Sequence, residues 1–240
     1  MRTYLIVDDN RALAENLVEI IQDAGDSAAL AESGAEALKL ARTRRFDALV
    51  TDMRMPEMSG ADLIRQISEV DPALPVIVIT AFTSDDHLSL ARRFGLVGIL
   101  PKPVPIGRLL ELARTARRGG VVAIVEDDEA LADNLSEALS AVGFGTVVAS
   151  SLGAAERMGA TPFAAIVDLR LPGGPDGRGI SLLRDRFPGL PLVVISGYSE
   201  LPVPRDVEVF FSKPFQVGGV ITVLDRLYAE RRKRDLIASS

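Results

Sequence analysis

The chain has 240 residues, 48% hydrophobic and 25% charged, with a net charge of −6, a composition that suits a soluble globular protein of one large or two ordinary domains. The negative balance gives no global field toward nucleic acid or anionic lipid. With no cysteine and a single histidine, His87, disulfides, thiol catalysis, Ser-His triads and the usual zinc sites are excluded as working readings.

The N-terminus, "MRTYLIVDDN", opens with a short apolar run that turns acidic at Asp8 and Asp9, with no cleavage-site pattern. No apolar stretch approaches the roughly 20 residues of a membrane span, so a cytoplasmic protein is the expectation. Asn10 is placed to cap a first helix whose Leu13, Leu17, Ile20 and Ile21 form an apolar stripe, and Gly25 is placed to stop it. Next comes "DALVTDMRMPEMSG", a β-rich run ending on Asp52. "PVIVIT" follows, ending on Thr80, then "SDDHLSLARRFG", a helical pattern with a serine at its start, then Lys102-Pro103. Val7, Val50 and Ile79 lie in runs with little polar alternation, as expected of strands buried on both faces.

The pattern then repeats at an offset of about 118 residues, too long for a solenoid unit and suited to a duplicated domain. "NRALAENLVEIIQDAG" aligns without a gap on "DEALADNLSEALSAVG", where Asp128 stands at the cap and Gly143 at the stop. Glu126 and Asp127 replace the first acid pair, Asp168 stands for Asp52, Ser196 for Thr80 and Lys213-Pro214 for Lys102-Pro103. The boundary is placed at "RRGG", charge followed by two flexible glycines, which gives domains 1–118 and 119–240. Alternating strand and helix patterns predict, in each copy, a parallel sheet with helices on both faces, and a ligand site beyond the carboxyl ends of the central strands.

All the singled-out acids, hydroxyls and lysines fall at those ends. Carboxylates converging there repel one another unless cations compensate. Oxygen-only ligands favour a hard cation that keeps water, such as Mg²⁺. A lysine adds fixed positive charge and a hydroxyl adds a donor. The set resembles a phosphoryl site built on a nucleophilic carboxylate.

On these residues both halves resemble receiver domains of two-component response regulators. The motifs are Asp8-Asp9, Asp52 with "MRMPEMSG", Thr80-Ala81 and Lys102-Pro103, then Glu126-Asp127, Asp168 with "LRLP", Ser196-Gly197 and Lys213-Pro214. The resemblance implies two flavodoxin-like doubly wound (βα)5 domains in tandem. It implies phosphoryl acceptance from a histidine kinase or histidine phosphotransfer protein on Asp52 and on Asp168. It implies Mg²⁺ held by Asp9 and Asp127, assisted by Asp8 and Glu126, by the acceptors themselves and by the backbone carbonyls of Arg54 and Arg170. Thr80 and Ser196 would bind the phosphoryl group and act as switches, and Lys102 and Lys213 would pair with it. A downstream protein is the expected output partner, with a homodimer through the fourth helix, fifth strand and fifth helix as a further arrangement. No membrane or direct nucleic-acid partner is expected.

The copies depart from the pattern at identifiable places. Ile99 stands where receivers usually carry an aromatic switch residue, whereas the second copy has Phe210. The stretch from Asp168 to Gly179 is three residues longer than that from Asp52 to Gly60. Thr80 and Lys102 are 22 positions apart, Ser196 and Lys213 only 17, and the second interval holds Pro202 and Pro204. A regular helix does not accommodate both prolines, so a loop is predicted there in place of the fourth helix. His87 reads as a surface residue and "AERRKRD" as the solvated end of the last helix. Two other readings compete with a tandem-receiver protein: the receiver portion of a longer regulator, such as a diguanylate cyclase or transcription factor, and a Mg²⁺-dependent aspartyl-phosphate phosphatase. The phosphatase class generally needs a second acid two residues after the nucleophile, where Arg54 and Arg170 stand here.

Overall fold

The computed structural model describes residues 1–81, 86–171, 178–197 and 207–238. They fall into two compact units, Met1–Gly120 with Ser140–Gly145, and Val121–Leu139 with Thr146–Ser240.

In the first unit, strands and helices alternate: β1 (Thr3–Val7), α1 (Arg11–Asp23), β2 (Ser27–Ala31), α2 (Gly34–Thr43), β3 (Ala48–Asp52), α3 (Gly60–Val70), β4 (Val76–Thr80), α4 (Asp86–Ala91), β5 (Leu96–Pro101) and α5 (Ile106–Thr115). The strand order is β2-β1-β3-β4-β5, and β1–β2, β1–β3, β3–β4 and β4–β5 all pair in parallel. Side chains alternate across the sheet, as strand geometry requires. Leu5, Val7, Leu49 and Val78 pack on one side with Leu38 of α2 and Leu63, Ile64 and Ile67 of α3. Tyr4, Ile6, Val50, Ile77 and Ile79 pack on the other with Leu17 and Ile21 of α1 and Leu109 and Leu112 of α5. This is the doubly wound α/β arrangement, and it explains why β3 and β4 are buried along their whole length.

Local signals hold at the first helix. The Asn10 side chain accepts from the Leu13 amide at 3.1 Å, and Gly25 takes the left-handed conformation, φ 87°, that ends the helix. The buried stripe is Ala14, Leu17 and Ile21, with Leu13 half-buried. Ile20, expected in the stripe, is only half-buried. The α-helix α4 ends earlier than "SDDHLSLARRFG" predicts. Among the described residues Asp86–Ala91 are α-helical, Arg92–Phe94 tighten into a 3₁₀ turn, and Gly95 ends it at φ 81°. Its predicted serine cap, Ser84, lies outside the described residues.

The "RRGG" stretch is bonded to the first unit. Arg118 forms a two-toothed ion pair with Asp71, at 2.9 and 2.6 Å, and also donates to the Phe46 carbonyl. The Gly119 amide donates to the Ala73 carbonyl at 2.7 Å. The stretch is therefore tied to the first unit.

The second unit contains β6 (Val121–Val125), α6 (Glu129–Ala141), β7 (Gly145–Ala149), α7 (Leu152–Glu156), β8 (Ala164–Asp168), α8 (Arg178–Arg186), β9 (Leu192–Ser196), β10 (Val209–Ser212) and α9 (Val217–Ala238). Its strand order, β7-β6-β8-β9-β10, matches that of the first unit, and β6–β8, β8–β9 and β9–β10 are parallel. Asp128 caps α6, accepting from the Leu131 amide at 3.1 Å. The loop predicted around Pro202 and Pro204 and the insertion "PGGPDG" lie outside the described residues. The last helix takes in the basic run, and Arg232, Lys233 and Arg234 on it are exposed, as a solvated helix end requires.

Candidate functional site

Register brings the singled-out residues of the first copy together. Thr51 lies opposite Val7 across the β1–β3 pair, so the next residues, Asp8 and Asp52, leave neighbouring strands side by side. Asp52 is opposite Ile79, and Thr80 opposite Pro101. The Lys102 amide donates to the Thr80 carbonyl at 3.0 Å, which extends the pairing by one residue and fixes the base of the lysine.

The Lys102 ammonium then bridges two acids, donating to Asp8 Oδ2 at 2.9 Å and Asp52 Oδ2 at 2.8 Å. The second oxygen of each acid meets a backbone donor. Asp8 Oδ1 accepts from the Asn10 amide at 2.9 Å and Asp52 Oδ1 from the Met53 amide at 2.7 Å. Asp8, Asp52 and Thr80 are 2%, 8% and 1% exposed, whereas Asp9 faces solvent. Burial works to lower the Lys102 pKa, but hydrogen bonds and charge from Asp52 and Asp8 outweigh it, and the net shift is upward. The ammonium therefore stays charged at neutral pH.

The second copy builds the same figure with one change of acid. Lys213 donates to Glu126 Oε2 at 2.8 Å and Asp168 Oδ2 at 2.6 Å, and its amide reaches the Ser196 carbonyl at 2.7 Å. Glu126 Oε1 accepts from the Asp128 amide at 3.2 Å. Asp168 Oδ1 accepts from the amide of Arg170, two residues on, rather than from the residue that follows it. The Glu126 carboxyl is pushed above its ordinary value, chiefly by burial, with Lys213 and the Asp128 amide pulling the other way. Both lysines precede proline across a cis peptide bond.

Three carboxylates converge in each copy. Ligand atoms of Asp8, Asp9 and Asp52 lie within 4.8 Å of one another, and so do those of Glu126, Asp127 and Asp168. Against one lysine, each trio carries two negative charges in excess. An oxygen-only donor set with that excess and one water-facing member fits a hard divalent cation. Arg54 and Arg170 follow the strand ends on exposed positions. Ile99 and Phe210, three residues before the lysines, are both half-buried against the cores. His87 is in α4, away from the strand-end acids in sequence.

Sequence reasoning missed the backbone contributions. The amides of Asn10, Met53, Asp128 and Arg170 orient the acids, and residue types do not announce them. Gly60 was read only as part of a motif. A β-carbon there would overlap the Asp52 carbonyl oxygen and lie 2.9 Å from Met53 Cα, so α3 starts flush against the backbone of Asp52.

The family profile for the response regulator receiver domain matches residues 4–114. A response regulator receiver protein of Anaeromyxobacter sp. strain Fw109-5 is 53% identical over 232 residues, covering 96% of this chain and 97% of that protein. The chain belongs to the response regulator receiver family. This receiver protein is also similar to the transcriptional regulatory protein CusR of Escherichia coli strain K12, 29% identical over 136 residues, 57% of the chain. It spans 60% of the length of CusR. Among solved structures, a response regulator receiver protein from Pseudomonas putida is 36% identical with a TM-score of 0.45, covering 47% of this chain and 95% of that one. Receiver proteins are a signalling family, and no described helix of this one is long and apolar enough to cross a membrane.

Proposed function

We propose that the receiver protein accepts a phosphoryl group from a histidine kinase or histidine phosphotransfer protein onto Asp52, and passes the signal on by protein contacts. The observation that carries this reading is the Lys102 bridge between two buried acids, beside a buried threonine and an exposed third acid. A carboxylate oxygen of Asp52 attacks phosphorus, the bond to the donor nitrogen breaks, and the imidazole takes up a proton. Lys102 exchanges one carboxylate contact for a phosphoryl oxygen, and the Thr80 hydroxyl donates to another. Asp9, Asp8 and Asp52, with the Arg54 carbonyl, would hold Mg²⁺, which supplies charge neutralisation on the incoming group.

The second unit is, in the same reading, a second receiver domain with Asp168 as acceptor, Asp127, Glu126 and the Arg170 carbonyl toward the metal, and Ser196, Lys213 and Phe210 on the phosphoryl side. Its strand order supports this, as does the relative whose alignment runs through both halves. The match to CusR favours a second reading, in which these residues are the receiver portion of a longer regulator such as a transcription factor.

Acetyl phosphate and Mg²⁺, followed by peptide mapping, test the acceptor. Wild type should be labelled within residues 45–65 and Asp52→Ala should not. Equal labelling of both would refute the assignment.

A further inference from the structure

Three of the chain's five methionines, Met53, Met55 and Met58, lie in the acceptor loop of the first unit, in a protein without cysteine. A two-electron oxidant finds no thiol here, so thioethers are the sulfur it can oxidise. The matching positions after Asp168 are Leu169 and Leu171, and no methionine occurs between Asp168 and Gly179. The second acceptor therefore lacks this chemistry.

Exposure and packing single out Met58. Met53 is fully buried, whereas Met55 and Met58 are half-buried and within reach of a small oxidant. Met58 lies on Gly34, the first residue of α2, so closely that a β-carbon on Gly34 would be 2.6 Å from the sulfur. Gln66 of α3 donates to the same sulfur at 3.7 Å. Met58 thus ties the loop to two helices. Its neighbours leave little slack. Glu57 holds a left-handed conformation, φ 64°, Ser59 caps α3, and Gly60 abuts the carbonyl of Asp52.

We propose that Met58 is an oxidation site that governs phosphoryl acceptance at Asp52, an inference that rests on the acceptor reading above. The Met58 thioether attacks the terminal oxygen of a peroxide, the O–O bond breaks, sulfur gains oxygen as sulfoxide, and the peroxide is reduced to water. The new oxygen is a strong acceptor. The sulfur already sits against both the Gln66 amide and Gly34, so the added oxygen needs space that the present packing does not leave and displaces the thioether. The sulfur has no room toward Gly34. The displacement passes through Ser59 and Gly60 to the backbone of Asp52.

Treat the 240-residue protein with hydrogen peroxide, map sulfoxides by mass spectrometry, and follow Mg²⁺-dependent labelling of Asp52 by acetyl phosphate. Formation of Met58 sulfoxide should slow labelling about tenfold or more, within the roughly hundredfold loss that a misplacement of about 1 Å can cause. Met58→Leu should label at the untreated wild-type rate before and after peroxide. Methionine sulfoxide reductase should restore the oxidised wild type. Any labelling at Asp168 should be insensitive to peroxide. The proposal is overturned if Met58 stays unoxidised, if its sulfoxide labels at the untreated rate, or if Met58→Leu slows as much as wild type. Absence of labelling in untreated wild type would instead overturn the acceptor reading beneath it.

Discussion

Lys102 is paired with both the Asp8 and Asp52 carboxylates, and both acids are almost fully buried. Replacing it with methionine leaves those charges facing each other. In EDTA, Lys102→Met should lose roughly 1–3 kcal/mol of stability, the cost of leaving a buried polar group unmatched. The same change deepens the negative potential, so Mg²⁺ should bind more tightly while acetyl phosphate labels Asp52 more slowly. Calorimetric titration and labelling on one sample check the pair of effects, and weaker Mg²⁺ binding would contradict the electrostatic account. Glu126 gives a pH signature. Its folded pKa is raised by burial, so its contribution to stability is complete below the ordinary glutamate range, about 4.3, and is lost as pH rises through the folded value. Urea unfolding in EDTA should show wild type losing ground to Glu126→Gln as pH is raised from about 4 toward 7. A difference that stays flat or moves the other way would rule this out.

Among elements, the start of the third helix in each copy is the sharpest contrast. Gly60 begins α3 against main chain, which cannot move without moving Asp52. Gly179, near the start of α8, faces the ends of side chains, with a β-carbon 3.1 Å from Leu171 Cδ1 and 3.2 Å from Val167 Cγ1. Side-chain ends turn aside at small cost, whereas backbone overlap carries the full overpacking penalty of about 1–3 kcal/mol or more. Gly60→Ala should therefore destabilise markedly and slow labelling of Asp52, and Gly179→Ala should do little. Denaturant midpoints of the two variants decide it. The fourth helix shows the other side of element-level prediction. Leu88 and Ala91 are buried, as a helical pattern requires, yet the last turn, Arg92–Phe94, is 3₁₀ and not α-helical.

Across the molecule, the two units carry figures of the same kind that are not chemically equal. The first has two aspartates bridged by lysine and an acceptor oriented by the amide that follows it. The second has a glutamate in the pair and an acceptor oriented from Arg170. Intact mass after phosphodonor treatment counts the acceptors. If both copies accept, wild type gains up to two phosphoryl groups, Asp52→Ala and Asp168→Ala each lose one, and the double variant gains none. A single adduct that disappears with Asp52→Ala alone would restrict phosphoryl acceptance to the first unit.

The sequence by itself determined the repeat, the alternation of strands and helices, and the membership of the strand-end cluster. Those properties are written in periodicity and spacing: an apolar run ending on an acid places that acid at the mouth of a parallel sheet wherever the sheet forms. It also determined the helix caps at Asn10 and Asp128, because capping is a local interaction between a side chain and its own next turn. Only tertiary structure decided how the acids are held. The lysine bridges span positions far apart in the chain, and the orienting donors are backbone amides that every residue possesses. The fastening of "RRGG" and the flush seat of Gly60 on Asp52 were equally out of reach. Both depend on which distant backbone arrives at van der Waals distance, and no residue type encodes that alone.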